Sequence, residues 1–184
     1  MIRDNICNKW FEEFMFKENW LEVPFYFNNP EKTLRFDLES MGELESKELV
    51  DKILSEVFVE DSYMYFADTK PISGLRIHVY FKVAKRKHVI KFNTREPYVN
   101  DENSYVNLFV TRARYFKKKK FIQDYLNDEG PGWSTFISAK KRVALNFYDA
   151  RGFDIFSTDS VFLKRIENKY KKYLYDFSKD DIEE

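Results

Sequence analysis

Two groups of side chains in this sequence have the types and spacing to do chemistry. Asp149, Arg151 and Asp154 gather around the run Asp149-Ala150-Arg151-Gly152, and Arg35 and Asp37 repeat the pairing of charges in Leu34-Arg35-Phe36-Asp37-Leu38. Carboxylates beside an arginine can build a small charged site in which one acid has a shifted proton affinity. Turn chemistry accounts for nearly the same residues. Asp149 can close a hairpin through its own backbone, Gly152 can supply a positive φ, and Arg151 can pair with Asp154 or Asp37, so only Arg151 lacks an obvious turn role.

The second group is basic: Arg76, Lys82, Lys85, Arg86, Lys87, Lys91, Arg112, Arg114, Lys117, Lys118, Lys119 and Lys120, interleaved with Tyr80, Phe81, Phe92, Tyr115 and Phe116. Cations for phosphates and rings for base stacking are what a nucleic-acid groove needs. The same cations would equally serve an acidic protein partner. No RNA-recognition, KH or helix-turn-helix pattern accompanies them, so both partners stay open.

Other chemistry is thinly represented. The sequence has no phosphate loop, no G-x-G-x-x-G, no H-E-x-x-H, no C-x-x-C and no G-x-S-x-G. Of the 2 histidines, His78 falls on the polar side of an expected strand and His88 lies in a Lys/Arg run that repels cations. These residues point to no catalytic group, no metal site and no cofactor.

The elements that must position these side chains can be read from periodicity. Asp4 caps a predicted first helix carrying Ile6, Cys7, Trp10, Phe11 and Phe14. Leu34 to Leu38 alternates as a strand, and Ser46 opens a helix striped by Leu49, Val50, Ile53, Leu54, Val57 and Phe58. Ser62 to Ala67 reads as a strand, Pro71, Ser73 and Gly74 as a turn, and Leu75 to Val83 as a strand with period two. Residues 84–92 fit either a helix or an extended edge. Tyr105 to Arg112 is extended, and a short helix follows in which Lys117 to Lys120 oppose the macrodipole. After Gly130-Pro131-Gly132 come strands at Trp133–Ser138, Arg142–Tyr148 and Phe153–Ser157. A last helix, capped at Thr158-Asp159-Ser160, carries Phe162, Ile166, Tyr170, Tyr173, Leu174 and Phe177.

The reading is one α+β domain over residues 1–184, with a mainly antiparallel sheet, flanking N-terminal and C-terminal helices, and a frayed acidic tail at 178–184. A chain of 184 residues buries roughly 70% of its unfolded surface, which suits a single core. Its 31 basic and 31 acidic residues cancel, yet residues 1–75 carry 8 against 16, residues 76–120 carry 13 against 3, and residues 121–184 carry 10 against 12. Zero net charge excludes polyanion binding through a global field and leaves a local basic surface available. The lone Cys7 rules out an internal disulfide. The absence of an apolar leader core or of about 18 apolar residues in a row predicts a soluble, cytoplasmic protein without a membrane partner.

Asn146-Phe147-Tyr148-Asp149-Ala150-Arg151-Gly152-Phe153-Asp154-Ile155, with the helix ending Tyr170-Lys171-Lys172-Tyr173-Leu174-Tyr175-Asp176-Phe177, resembles the bacterial family called domain of unknown function 3885. Leu34 to Leu38 looks like that family's Leu-Arg-Phe-Glu-Leu strand, and the helix ending Ile53 to Phe58 is similar to the one after it. Ala150 stands where the family usually has a second acid and Phe153 where it has Met, while residues 70–130 carry no recognised family pattern. The resemblance implies a shared fold and a bacterial origin rather than an activity. By analogy with other small cytoplasmic domains, it implies a partner-binding, immunity-type protein that neutralises a toxin.

Overall fold

Seven strands and three α-helices make up the part of the chain that the computed structural model describes, which is residues 29–59, 62–68, 79–82, 85–92, 104–129 and 134–176. In chain order they are β1 (Thr33–Asp37), α1 (Glu43–Val57), β2 (Tyr63–Asp68), β3 (Lys85–Phe92), β4 (Ser104–Arg112), α2 (Lys118–Leu126), β5 (Ser134–Ser138), β6 (Val143–Asp149), β7 (Gly152–Ser157) and α3 (Ser160–Tyr170). The strands form one antiparallel sheet in the order β1-β7-β6-β5-β2-β4-β3. The fold class is therefore α+β, as its sequence pattern predicts.

Alternation along the strands sorts side chains onto two faces. One face presents Phe36, Phe153, Phe147, Phe136 and Phe66, all buried, and the three helices press their apolar stripes into the same cluster. Phe36 stacks on Phe153 with ring centroids 4.8 Å apart, and Phe121 from α2 meets Phe136 and Phe147 edge-on at 4.8 and 5.2 Å. The stripe of α1 is the one its spacing predicts, with Leu49, Val50, Ile53, Leu54 and Val57 buried. The opposite face holds Tyr65, Ile137, Ala144 and Phe156 together with buried polar groups, Thr33, Thr135, Asn146 and Asp154.

Several boundaries differ from the sequence reading. Helix α1 starts at Glu43, before Ser46, whose hydroxyl instead donates back to the Gly42 carbonyl at 3.1 Å. Val79 and Tyr80 are helical rather than extended. Tyr80 and Phe81 are both buried although adjacent, a demand that one-sided strand alternation cannot meet. Residues 84–92, open between helix and edge, contain β3 from Lys85 onward. The last helix stops at Tyr170, passes through a 3-10 turn at Lys171–Tyr173, and leaves Leu174 to bridge Phe36 while the Tyr175 N–H donates to the Arg35 carbonyl at 2.9 Å. Backbone pairing with β1 takes the place of a continued helix there. Asp159 caps α3 as expected, accepting from the Val161 and Phe162 N–H groups. The first helix with Cys7, the turn at Pro71–Gly74, Arg76, His78, Gly130-Pro131-Gly132, Phe177 and the 178–184 tail lie outside the described residues.

Candidate functional site

The five residues of the first cluster separate into three units. At the β6–β7 hairpin, Asp149 accepts the Arg151 backbone N–H at 2.9 Å and its side chain at 3.1 and 2.8 Å, so this exposed pair closes on itself. Arg151 thus pairs with neither Asp154 nor Asp37. Asp37 accepts the N–H groups of Glu39 and Ser40 at 2.9 and 3.4 Å, ending β1 in a side-chain-closed turn. Asp154 is fully buried on β7, where Arg35 of β1, its direct register partner, donates Nε–H to Oδ1 at 3.2 Å.

Gly152 is needed for close approach rather than for the positive φ that the turn pattern suggested. A Cβ there would stand 2.3 Å from the Phe36 carbonyl oxygen. Among the described residues, the non-glycine positions with positive φ are Asp128 and Arg142. The Tyr125 hydroxyl donates to the Gly152 carbonyl at 2.5 Å and the Leu38 N–H to the Arg151 carbonyl at 2.7 Å, tying the hairpin to α2 and β1.

Tyr148, Tyr125 and Asn146 belong to this region although sequence reasoning passed them over. The Arg35 guanidinium lies 5.3 Å from the Tyr148 ring centre and 6.0 Å from that of Tyr175, and the Tyr148 hydroxyl donates to Asp154 at 3.4 Å. Burial, then the Asp154 charge, pushes the Tyr148 phenol well above its ordinary range. Burial does the same to Tyr125. Asn146 stands between Asp154 and Thr135 in register, is fully buried, and leaves both amide atoms without a hydrogen-bond partner. A polar residue inside Val143-Ala144-Leu145-Asn146-Phe147 was the available signal.

The basic segment is spread through the fold. Lys85, Arg86 and Lys87 fall on the edge strand β3, and Lys82 is exposed just before it. Arg112 lies 3.9 Å over the Tyr63 ring and donates to its hydroxyl at 2.9 Å, while Arg114 sits 5.4 Å from the Tyr115 ring centre. Lys117 is the N-cap of α2, without a side-chain cap bond. Lys118 reaches Asp51 at 2.8 Å and the Ser55 hydroxyl at 2.6 Å. Lys120 holds both oxygens of Asp124, a mostly buried carboxylate that also accepts from Tyr80 at 3.1 Å. Carboxylates from α1 and α2 thereby offset the conflict between this lysine run and the helix dipole. Lys119 is exposed and has no ion pair. Between α1 and this run opens a groove of about 470 Å³, floored by Leu54, Phe58, Met64 and Phe116 and bordered by Arg114 and Lys118.

Three aromatic residues of the same segment are engaged with the core. Tyr80 and Phe81 are 7% and 1% exposed, and Phe116 packs against Phe81, Phe121 and Phe136 at 5.1–5.6 Å. Outside this segment, Glu56 of α1 collects Arg165 and Lys169 of α3 at 3.0 and 2.7 Å and accepts Lys141 on its backbone carbonyl. Burial would raise its carboxyl, but the Lys169 and Arg165 contacts outweigh that and hold it below the ordinary glutamate value.

A family model described as Domain of unknown function (DUF3885) matches residues 9–178. The chain belongs to that family. The match runs through residues 70–130 as well, so the basic segment lies within the DUF3885 domain and not in a stretch foreign to it. No curated protein and no solved structure matches the chain. Among the described residues, no group of three or more His, Cys, Asp or Glu could hold a metal, and no helix is long and apolar enough to cross a membrane.

Proposed function

We propose that this DUF3885 chain is a non-enzymatic protein-binding domain of the bacterial cytoplasm, of the immunity type, which neutralises a toxin or another acidic partner through complementary charge. The observation that carries this reading is the burial of Tyr80 and Phe81 and the packing of Phe116 on core rings, which turns these rings of the basic segment inward while cations such as Arg114 and Lys119 stay at the surface. Cations alone can face an acidic protein surface, whereas single-stranded nucleic acid draws much of its binding from rings. The hairpin adds support: Asp149 and Arg151 satisfy each other in solvent, and the buried Asp154 is occupied by Arg35.

Purifying the native protein and identifying what travels with it is the test. A stoichiometric acidic protein is the expected companion, displaced by salt and lost when Arg114 and Lys119 are changed to Glu. Recovery of no protein partner would remove the reading. Binding to RNA or DNA with a steep log–log salt slope, flattened by Arg114→Ala and Lys119→Ala, would put a nucleic-acid-binding module in its place.

A further inference from the structure

Helix α1 lines two grooves of different character. The one it shares with α3 and the turn after it, about 640 Å³, carries both signs of charge and pairs them internally, Lys172 with Glu45 at 3.1 Å and Lys169 with Glu56 at 2.7 Å. The one it shares with the connection from β4 to α2, about 470 Å³, has an apolar floor of Leu54, Phe58, Met64 and Phe116, and its charged members, Arg114 and Lys118, are both cations. Every side chain that lines this second groove is among the described residues.

The second groove is fixed by its own walls. Lys118 of α2 reaches Asp51 and the Ser55 hydroxyl of α1 at 2.8 and 2.6 Å, which sets the separation of the two helices. The Ala113 N–H donates to the Ser62 carbonyl at 3.0 Å and the Ser62 N–H to that of Val59 at 2.9 Å, so the turn after α1 is tied to the residues after β4. A site shaped before its occupant arrives loses little ordering entropy on binding. Beside the floor, Val59 keeps 55% of its surface in solvent and carries the apolar surface out to the rim. An exposed valine by itself needs no explanation, but joined to a fixed apolar floor it makes a continuous patch.

We propose that this groove docks a short segment of the acidic partner: one large apolar side chain lies on Leu54, Phe58, Met64 and Phe116, and a carboxylate beside it meets Arg114. The inference rests on the partner-binding reading above and names its anchor. Arg114 is exposed at the border, and the five N–H donors of a guanidinium leave some for a carboxylate even when it already touches a neighbour. A basic segment would meet two cations and no acid among the lining residues, so charge selects the occupant. The anchor supplies affinity, and the charge supplies rate and specificity.

The probe is a peptide of Gly and Ser with one central Phe flanked by Glu on both sides, titrated against the full chain beside an Ala-for-Phe and a Lys-for-Glu control. It should bind about tenfold more tightly than either control and shift the Met64 methyl resonance. Val59→Gln and Arg114→Gln, both at exposed positions that keep the fold, should each weaken it about fivefold or more. If Val59→Gln binds as tightly as the parent, or the Ala peptide as tightly as the Phe peptide, the apolar anchor is wrong while a charge-based partner surface stands. If Arg114→Gln changes nothing, the acidic occupant is wrong. A second copy is the competing occupant, since Leu44 is exposed between Glu43 and Glu45. Concentration-dependent dimerisation of the parent, lost in Leu44→Gln, would give the groove to that copy and overturn the proposal. No binding of the Phe peptide to the parent would overturn it too, with the partner-binding reading still decided by co-purification.

Discussion

The carboxylate of Asp154, wholly buried on β7, is held by the Arg35 guanidinium at 3.2 Å from the neighbouring strand. The two members are not equivalent, since the Arg35 side chain keeps 13% of its surface in solvent and Asp154 keeps none. Removing the arginine takes the Arg35 cation from a buried carboxylate that keeps the Tyr148 hydroxyl, whereas removing the acid leaves a cation with access to water. Arg35→Leu should therefore cost about 3–5 kcal/mol, more than Asp154→Leu, and the double variant should cost less than the sum of the two. Urea unfolding of the four proteins measures this. Additive losses would show that the pair is not a unit.

Lysines one position apart in α2 should behave differently. Lys120 neutralises Asp124, which is 9% exposed and also bound by Tyr80, while Lys119 points into solvent without an ion pair. Lys120→Met should destabilise by about 1–2 kcal/mol, and Lys119→Met by less than about 0.5 kcal/mol. Equal thermal midpoints for the two variants would contradict the assignment. The contrast also makes Lys119 the better reporter of partner binding, because its loss leaves the fold intact.

Periodicity in the sequence makes α1, α2 and most strands legible because their apolar stripes meet a core directly, as Leu49, Ile53 and Val57 do. It fails where tertiary demands override it. Tyr80 and Phe81 are both drawn into the core, and Leu174 keeps helical spacing but is claimed by the β1 edge. For β3 the basic side chains hide the apolar alternation that would have chosen strand over helix. The polar cluster was visible as a set of residue types, but not its pairing. Arg35 and Asp154 are 119 residues apart and meet only through strand register. Likewise the interleaving of rings and cations in residues 80–116 is plain in the sequence, whereas the direction in which each ring faces is a property of the fold.

Asn146 offers a gain in stability. Both atoms of its amide are buried without a hydrogen-bond partner, between Asp154 and Thr135 in the neighbouring strands. A buried amide left unpaired costs about 1–3 kcal/mol, and leucine has nearly the same size and shape. Asn146→Leu should raise stability by about 1–2 kcal/mol and the thermal midpoint by about 2–4 °C per kcal/mol. Asn146→Asp should do the reverse, placing a second carboxylate beside Asp154. A calorimetric midpoint below the parent's for the leucine variant would show that the amide has a partner in solution.

The Glu56 hub links α1 to α3 and predicts how stability responds to acid. Its carboxyl accepts from Arg165 and Lys169 and stays ionised below the ordinary glutamate value of 4.5. A folded-state value below the unfolded one means that protons bind the unfolded chain first, so the contribution is complete above pH 4.5 and is lost as pH falls through the lowered value. At pH 7, Glu56→Gln should be less stable than the parent by about 1–2 kcal/mol. Toward pH 3 that gap should close, because the parent's own Glu56 is then becoming neutral. Glu43 and Glu45, whose carboxyls Lys47 and Lys172 also hold low, are present in both proteins and cancel in the comparison. Urea titrations of the two proteins at pH 7 and pH 3 decide the matter: a gap that does not change with pH would mean that Glu56 holds α3 by shape rather than by charge.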